Sequence, residues 1–382
     1  MIKVYKLHNQ IKHYKWGSTV ILPEFLGLSN DENLPYAEMW MGTHNGAPSQ
    51  INKNGKQVNL TELSGELPFL LKLLAVEKSL SIQVHPEKEQ AFSGFNLEEK
   101  NGIPLTAPDR IYKDANQKSE IICALSTFQL MAGFKELSLI IEAFNILSSI
   151  APKISDFISS LKGLLKNNQL LDFLKKLFYI EKSSLDYLCN IILSFDNKEN
   201  KFDLQQTISH EQWALIKQFA SLYPQDPCFL SPLFLNVLTL DPGQAVFIPA
   251  GTVHAYIKGF GVELMNNSDN VLRGGLTSKY VNIDEFIKIL NLKIYTPQII
   301  TPSDENIFSY KTPCDCKLSV LKNDNSQIIN KHFNKSAICI VTEGEVSVNG
   351  EMFKKSESFF IPSETDQLSL KGCFTLFLAE SA

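Results

Sequence analysis

The chain has 382 residues, of which 44% are hydrophobic and 20% are charged, a composition typical of a globular protein with two or three domains. Its net charge of −5 excludes a general binder of polyanions, so we expect no nucleic-acid partner. No apolar run is long enough to cross a bilayer and residues 1–7 lack a signal-peptide core, which predicts a cytoplasmic protein with no membrane partner. The seven cysteines form no CxxC pair, and reduced thiols fit this spacing better than a disulfide framework or a cysteine-based zinc site.

Residues 1–136 are predicted to consist mostly of strands and turns. Two aromatic-rich segments, 13–18 and 38–44, precede a strongly apolar run, Phe69–Val76. Lys72 is the single charge in that run. It either extends to an edge of the sheet or faces a polar cavity shared with the next strand.

That next strand is predicted within residues 80–86, where Ser81, Gln83 and His85 alternate with two apolar residues. Because successive side chains of a strand point to opposite faces, the three polar groups should share one face. Pro86 has no N–H to donate to a ladder, so the strand should end there with His85 at its rim. A solvated sheet face would produce the same pattern.

A polar loop, 114–120, and an apolar strand, 121–125, complete the first β region. From about residue 136 to residue 222, apolar residues instead recur at i, i+3, i+4 and i+7. This period indicates amphipathic helices that pack on one another. We therefore predict a helical insertion between two β regions, with no catalytic residue in it and with its last helix starting at His210.

Strands return after the helical region, and there Gly243, Pro249, Gly251 and His254 are spaced as in the second sequence motif of the cupin family. The glycines permit tight turns at the ends of a barrel. The resemblance implies a small antiparallel β-barrel in which His254 points inward and binds a divalent metal. Lys258 departs from this pattern, because many cupins have asparagine there.

A helix is predicted at Ile283–Leu290, and the rest of the chain is again predicted to form strands and turns that resemble a second cupin barrel. An alignment of the two barrels places Gln367 where His254 stands and Ser356 where Gly243 stands. We therefore expect the second barrel to be metal-free and structural.

Five blocks in consistent order are similar to a more specific family, the type I mannose-6-phosphate isomerases, which are themselves cupins. The blocks are Tyr14–Ser18, Ala37–His44, Ser81–Pro86, Asn116–Glu120, which resembles the family's Asn-His-Lys-Pro-Glu, and Asp269–Lys279, which resembles its Asp-Asn-Val-x-Arg-x-Gly-Leu-Thr-x-Lys. Five ordered matches are far more specific than any one of them. The resemblance implies a mainly β fold with an α-helical insertion: two cupin-like, jelly-roll β-barrels plus a helical domain.

The resemblance also implies one Zn²⁺ per chain, held by Gln83, His85, Glu120 and His254. Such nitrogen and oxygen ligands, with no cysteine, leave room for water or substrate, as catalytic zinc requires. With a single carboxylate, the loaded site would carry a net charge of about +1, which favours an anionic intermediate.

The family interconverts mannose 6-phosphate and fructose 6-phosphate through an enediol, which implies a place in carbohydrate metabolism leading to GDP-mannose. The resemblance suggests Lys118 for proton transfer between the two carbons, with His85 and Asp269 assisting ring opening. Glu263 is a second candidate for the base. The sequence leaves the choice between Lys118 and Glu263 open.

For sugar and phosphate contacts the family pattern points to Arg273, with Lys72, Ser81 and Lys279. Arg273 is suited to this because a planar guanidinium matches the oxygens of a phosphate. Tyr256, two residues after His254, should share its strand face and line the same pocket. The alternatives are solvated lysines, a local ion pair of Arg273 with the residue four positions earlier, and a core tyrosine.

Two departures lie beside Lys118, where Gln117 and Ser119 replace the family's histidine and proline. The lost histidine removes a possible proton relay, and the lost proline is expected to loosen the loop. Turnover or substrate preference is therefore expected to differ from that of typical members.

The predicted domains are a catalytic cupin domain formed by 1–136 with 230–294, a helical insertion, 137–229, and a C-terminal cupin-like domain, 295–382. We predict a monomer whose partner is a small sugar phosphate. Two rival functions remain: a sugar-phosphate-binding cupin that has lost turnover, and an Fe(II)-dependent cupin oxygenase. The phosphate-type cations argue against the oxygenase, which has no general need for them.

Overall fold

The computed structural model describes residues 4–195, 207–312, 315–324, 327–363, 365 and 367–381. Two large networks of antiparallel strands account for most of the β structure, and a small hairpin, β4 (Gln50–Lys53) with β5 (Lys56–Asn59), stands apart. The mainly β fold class predicted from the sequence is confirmed.

The first network has 11 strands and holds the predicted metal ligands. Its strands are β2 (Gln10–Lys12), β3 (Glu38–Gly42), β6 (Phe69–Val76), β7 (Ile82–Val84), β8 (Glu120–Ala124), β9 (Phe128–Phe134), β10 (Leu235–Leu240), β11 (Ala245–Ile248), β12 (His254–Asn266), β13 (Leu272–Gly275) and β14 (Ile299–Ile300). The long strand β12 pairs with β7 and β9 in its first half and with β6 and β8 in its second half. It therefore joins both halves of the network into one barrel.

The second network has nine strands. They are β1 (Tyr5–Lys6), β15 (Ile307–Tyr310), β16 (Cys316–Asn323), β17 (Ile329–His332), β18 (Ala337–Val348), β19 (Glu351–Lys354), β20 (Ser358–Ile361), β21 (Gln367–Lys371) and β22 (Phe374–Ser381). Its interior is apolar, with Val346, Phe353 and Phe359 among the fully buried side chains. Ser356 has the left-handed backbone conformation (φ +72°) that Gly243 has in the first barrel (φ +87°), which supports the alignment of the two motifs.

The helical insertion is present as predicted. Its helices are α4 (Leu137–Ile150), α5 (Ser155–Lys166), α6 (Leu170–Phe178), α7 (Lys182–Ser194) and α8 (His210–Leu222), with a 3₁₀ turn at Pro152–Ile154. A second 3₁₀ turn, Pro227–Leu230, and the short α9 (Ser231–Phe234) then lead into β10. α8 begins at His210 with a capping box, because Ser209 accepts a hydrogen bond from the Gln212 N–H and the Gln212 side chain accepts one from the Ser209 N–H. The predicted helix near 283–290 is α10 (Ile283–Ile289).

The apolar stripes of these helices pack on the backs of β7 and β13. Ile82, Val84 and Leu272 belong to the same buried cluster as Phe144 and Phe173 of the insertion. The apolar face predicted for residues 80–86 is thus buried against helices, which leaves the opposite face for the site.

One helix in the first β region was missed. Besides two short helices, α1 (Ile21–Leu26) and α2 (Thr61–Ser64), this region contains α3 (Lys88–Lys100), 13 residues long. Its only long apolar side chains away from the core, Phe92 and Leu97, are 60% and 56% exposed, so no apolar stripe marks its buried face. Its inward face carries Glu98 instead, which accepts hydrogen bonds from the N–H groups of the segment that follows.

Two short strands cross between the predicted domains, because β1 pairs with β20 of the second network and β14 pairs with β11 of the first. Within the described residues, no single helix is long and apolar enough to span a bilayer. The helical segments Leu137–Ile150 and Pro152–Lys166 meet those criteria only jointly, and they are bent by 118° at their junction.

Candidate metal centre and active-site cleft

Strand register brings the candidate site residues together. Gln83 of β7 lies opposite His254 of β12 on one side and opposite Arg273 of β13 on the other. Glu120, the first residue of β8, lies opposite Met265 near the far end of β12. Residues that are distant in sequence thus become cross-strand neighbours inside the barrel.

The centre of the site is a buried cluster of His85, Glu120 and His254, whose candidate ligand atoms all lie within 4.8 Å of one another. The Oε1 atom of Glu120 is 2.5 Å from His85 Nε2 and 3.6 Å from His254 Nε2. The amide of Gln83 completes the group, 3.2 Å from His254 Nε2. The structure therefore brings the four predicted ligands to one place.

Hydrogen bonds fix which nitrogen of each imidazole is free. His85 Nδ1 donates to the carbonyl oxygen of Asn270 at 2.6 Å, and His254 Nδ1 donates to that of Thr252 at 2.9 Å. Because a carbonyl oxygen only accepts, the proton of each neutral ring is on Nδ1 and the lone pair is on Nε2. Both lone pairs face the carboxylate of Glu120.

The cluster fits a divalent cation. Oε1 of Glu120 is buried and makes no hydrogen bond of its own, although two nitrogen lone pairs surround it. Such an arrangement of lone pairs is repulsive unless a positive charge lies among them. Histidines that bind a metal through Nε2 usually donate their Nδ1–H to a carbonyl or carboxylate group, as both rings do here. A half-turn of the Gln83 amide presents its oxygen as a further ligand.

The protonation states of His85 and Glu120 also favour metal binding. Burial, together with the charge of Lys118, lowers the pKa of His85 to about 3, so the ring is neutral. Burial opposes the charge of Glu120, but the positive charge of Lys118 outweighs it and holds the pKa of that carboxyl well below its usual value. A neutral imidazole at His85 and an ionised carboxylate at Glu120 are the protonation states that a metal requires of these two ligands.

A second row of charges runs across the neighbouring strands. Trp40 of β3, Lys72 of β6 and Glu263 of β12 are successive cross-strand neighbours. The Nζ atom of Lys72 lies 3.2 Å from Glu263 and 3.9 Å from Glu38. Lys72 therefore faces the interior of the barrel, which decides between the two placements that the sequence left open.

The pKa values in this row follow from burial and pairing. Burial disfavours the charged form of Lys72, but the carboxylates of Glu38 and Glu263 outweigh it and raise its pKa. Burial and the nearby Glu120 raise the pKa of Glu263 to about 7, although Lys72 opposes this shift. Tyr256, which is 1% exposed, donates from its hydroxyl to Glu120 at 3.4 Å.

A cleft of about 220 Å³ opens above these groups. Of the predicted site residues, it is lined by Lys72, Gln83, Lys118, Glu120, Tyr256, Glu263, Asp269, Arg273 and Lys279. Ser81 is half-buried and does not line the cleft. Lys118 reaches the cluster, with Nζ 3.3 Å from both His85 Nε2 and Glu120 Oε1. The cleft thus has donor atoms at its base and cations along its wall.

Some residues of the site had not been predicted as such. Trp16, Glu38 and Trp40 also line the cleft. Asn270 is fully buried, and its side chain bonds the loop before Lys118 while its carbonyl holds His85. Each of these four residues lies inside a block that resembles the family, and that position could have identified it as a site residue. The residue types alone do not indicate a role in the site.

The loop around Lys118 is tethered, contrary to the expectation that losing proline loosens it. The Ser119 N–H donates to Asn266 Oδ1 at 2.9 Å, and its carbonyl accepts from the Asn266 N–H at 3.1 Å. Its hydroxyl accepts a hydrogen bond from the Ala250 N–H at 3.2 Å. A proline has no N–H and no hydroxyl, so hydrogen bonds here take the place of ring rigidity.

This tether gives a stability prediction. Replacing Ser119 with alanine leaves the buried Ala250 N–H without its partner, which should lower the free energy of unfolding by about 1–3 kcal/mol. Urea denaturation followed by circular dichroism measures the change. Ser149→Ala, which removes an exposed hydroxyl on α4, is the control and should shift the free energy by much less. Equal shifts in the two variants would contradict the proposed tether.

Comparisons with known proteins agree along the whole chain. Residues 4–137 match the model of the phosphomannose isomerase type I catalytic domain. The chain is 33% identical to the mannose-6-phosphate isomerase of Escherichia coli (strain K12), over 96% of this chain and 97% of that protein. It is 32% identical to the Bos taurus enzyme of the same name, over 83% of this chain and 79% of that protein.

Solved structures agree as well. One is a Salmonella typhimurium mannose 6-phosphate isomerase described as bound to substrate and a zinc atom, with a TM-score of 0.87, 30% identity and 99% of both chains covered. Another is a mannose 6-phosphate isomerase bound with zinc and yttrium, with a TM-score of 0.86, 30% identity and the same coverage.

Two antiparallel barrels, the first with a buried His–Glu–His cluster at the base of a cleft, define a cupin metalloprotein. The similarity to the isomerases extends over nearly the full chain and is not confined to one motif. The chain belongs to the type I phosphomannose isomerase family.

Proposed function

We propose that this chain is a zinc-dependent aldose–ketose isomerase that interconverts mannose 6-phosphate and fructose 6-phosphate. The observation that carries the proposal is the convergence of His85, Glu120 and His254 beneath a cleft that Lys118, Arg273 and Lys279 also line. Donor atoms for one metal, a group able to move a proton and cations for a phosphate are what this reaction needs.

The metal site would consist of Gln83, His85, Glu120 and His254, with one Zn²⁺ per chain. When bound, Zn²⁺ supplies positive charge that stabilises negative charge developing on the sugar oxygens. The protein holds the donor atoms in place through backbone contacts. Gly251, whose N–H donates to the His85 carbonyl at 2.7 Å, ties the turn before His254 to the other ligand strand.

Gly251 is suited to this turn because its backbone is left-handed (φ +80°). A Cβ atom there would also lie 3.2 Å from Asn291 and 3.3 Å from Glu87.

Isomerisation moves one proton between C2 and C1 of the open-chain sugar, by way of the enediol. We assign this transfer to Lys118, because its Nζ lies beside the donor cluster and faces the cleft. Glu263, the other candidate base, is paired with Lys72 at 3.2 Å, and this pairing gives it a role in positioning that lysine. The transfer requires Lys118 as the uncharged amine: Nζ first gives up a proton, then takes the proton from one substrate carbon and returns it to the other on the same face.

Ring opening must come before this transfer. The C1–O5 bond breaks, the C1 hydroxyl loses its proton as the carbonyl forms, and the ring oxygen gains a proton. We assign assistance in these proton movements to Asp269 on the wall of the cleft. His85 would hold the metal through Nε2 while Nδ1 donates to the Asn270 carbonyl, so both of its ring nitrogens are engaged and its part is to place the metal. Tyr256 and Lys72 would contact the sugar from the β12 and β6 sides.

The phosphate would bind between Arg273 and Lys279. Both line the cleft and also the adjoining recess of about 260 Å³. Burial and the neighbouring Arg273 charge lower the pKa of Lys279, so an anion between the two cations relieves their repulsion. Ser81 lines neither the cleft nor the recess, so we assign it no contact with the phosphate.

A coupled assay for fructose 6-phosphate formation tests the function. We expect turnover of mannose 6-phosphate, much weaker turnover of unphosphorylated mannose, loss of activity after dialysis against a chelator, and recovery on adding Zn²⁺. The chelator removes the positive charge on which the stabilisation of the enediol depends. Activity indifferent to metal would contradict the proposal.

The same assay separates the two rivals. Tight binding of mannose 6-phosphate with no turnover would favour a sugar-phosphate-binding cupin without activity. Oxygen uptake with iron would favour an oxygenase. The similarity to isomerases over 96% of the chain argues against the oxygenase, and the intact His–Glu–His cluster argues against a loss of turnover.

We further infer a division into the catalytic cupin domain, 1–136 with 230–294, the helical insertion, 137–229, and the C-terminal barrel, 295–382. Separate buried clusters inside each barrel and one that joins the helices to β7 and β13 support it, and a further cluster packs the two barrels against each other. Family membership supports a cytoplasmic monomer that acts on the route to GDP-mannose. Analytical ultracentrifugation of the purified chain tests the monomer, since a sedimenting mass near twice 43.0 kDa would contradict it.

A further inference from the structure

Behind the wall of the cleft lies a histidine to which the proposed mechanism assigns no role. His44 follows β3 at the end of the block Ala37–His44, and its side chain is buried, with a relative exposure of 8%. Its Nε2 lies 3.3 Å from Oδ1 of Asp269, whose side chain is 52% exposed at the cleft. A buried ring thus contacts the proposed ring-opening carboxylate from behind.

The tautomer of His44 is fixed by the backbone. The Gly46 N–H donates to His44 Nδ1 at 3.0 Å, so Nδ1 carries the lone pair and Nε2 carries the proton. Nε2 is also the nitrogen that contacts Asp269, 3.3 Å from its Oδ1. Gly46 can approach because it lacks a side chain, since a Cβ there would lie 3.2 Å from Nδ1. Trp40 packs edge-on against the ring, at 4.8 Å between centroids and 84° between planes.

Asp269 has few other restraints. Its backbone N–H donates to Asp114 Oδ2 at 2.7 Å, which places the main chain but leaves the carboxylate free to rotate. Among described residues, His44 is the ion-pair partner of that carboxylate. The ring is held by Gly46 and Trp40, so its N–H is a fixed donor that selects one orientation of Asp269.

We propose that His44 is a positioning residue, which holds the Asp269 carboxylate in the orientation needed to exchange a proton with the sugar during ring opening. The inference rests on the proposed function, because Asp269 has this task only if the substrate is a cyclic sugar phosphate. His44 itself does not touch the substrate. It acts through one hydrogen bond.

The charges around the pair support this role. Burial would raise the pKa of Asp269, but the hydrogen bond from His44 and the charges of Lys118 and Lys72 outweigh it and lower the pKa. Lys113 and Tyr14 interact with Asp269 electrostatically, although the Lys113 ammonium donates to the Leu105 and Ala107 carbonyls, and Asp114 accepts from the Asp269 N–H. His44 is the group among these that both donates to the carboxylate and is itself immobilised.

Two substitutions test the contributions of the two ring nitrogens of His44 separately. In His44→Asn the amide oxygen takes the place of Nδ1 and accepts the Gly46 N–H, but nothing reaches Asp269. In His44→Gln the longer side chain places an amide N–H near the position of Nε2, so the donor to Asp269 is retained. Asp269→Asn and the double variant His44→Asn/Asp269→Asn complete the set. Each is assayed as the zinc-loaded full chain with mannose 6-phosphate, together with its thermal midpoint.

We expect His44→Asn to lower kcat/KM by about 10- to 100-fold, the worth of one hydrogen bond to a charged group, and His44→Gln to recover most of this. The acid limb of the kcat/KM profile should move to higher pH in His44→Asn, because the Asp269 anion loses a stabilising donor. The double variant should be no worse than Asp269→Asn alone, within about a factor of three.

Additive losses in the double variant, or equal losses in His44→Asn and His44→Gln, would overturn the inference and leave His44 a structural residue. Asp269→Asn as active as the unaltered protein would also overturn it. An unaltered protein that binds zinc but does not isomerise mannose 6-phosphate would instead refute the proposed function, which is a different outcome from any of these.

Discussion

Replacing Glu120 with glutamine should release zinc from the protein and abolish isomerase activity. Glu120 is the only carboxylate among the four proposed ligands, and its Oε1 faces two imidazole lone pairs without a hydrogen bond of its own. Replacing a residue that only supports a metal ligand typically lowers metal affinity by about 10- to 100-fold. Replacing the charged ligand itself should therefore lower zinc affinity by more than about 100-fold. Competition with a chromophoric chelator measures the affinity, and the coupled assay measures the activity.

Glu77→Gln is the matched control for this substitution. Glu77 forms a surface ion pair with Lys258 at 3.0 Å, and such pairs contribute about 0–1 kcal/mol. The control should keep both zinc and turnover. A Glu120→Gln protein that retains stoichiometric zinc after gel filtration would mean that the metal lies elsewhere or that the other three ligands suffice.

Replacing Lys118 with methionine should lower kcat by about 10²- to 10⁴-fold, the usual contribution of a positioned proton-transfer group, while zinc content is retained. The Nζ atom lies 3.3 Å from two atoms of the donor cluster, and methionine keeps the length of the side chain without the amine. Stopped-time assays give kcat and KM. The exchange of the C2 proton into deuterated water, followed by NMR, should fall by the same factor as kcat.

Lys258→Met is the control for Lys118→Met, because Lys258 carries the same charge on the exposed side of β12. Its kcat should be unchanged. If Lys118→Met turns over normally and Glu263→Gln loses activity and proton exchange, the transfer belongs to Glu263 and the assignment above is wrong. Retained zinc in Lys118→Met distinguishes a chemical defect from the loss of metal expected for Glu120→Gln.

The gathering of His85, Glu120 and His254 could be predicted from the sequence because each lies in a short motif that is local in the chain. The strand that carries Gln83 and His85 is marked by alternation, and the turn before His254 is marked by glycines that need a left-handed backbone. The helical insertion could also be predicted from the sequence, because its apolar residues recur at helical spacing and pack against one another.

What could not be predicted depends on register and on polar packing. The row Trp40, Lys72 and Glu263 exists because three strands align residue by residue, and nothing in any one strand specifies that alignment. The tether at Ser119 depends on an N–H from a turn more than a hundred residues away. The helix Lys88–Lys100 escaped prediction because its buried face is polar, so a method based on apolar stripes has no signal there.

The pairing of β1 with β20 has a consequence for biosynthesis. Lys6 bonds to Glu357, 351 positions later, and Tyr5 lies opposite Phe360. At a ribosomal rate of about 5–20 residues per second, the earliest residues emerge roughly 20–70 s before their partners are made. The second barrel therefore closes only after β20 has been made, and a nascent chain released before that point has an unpaired edge that is open to other chains.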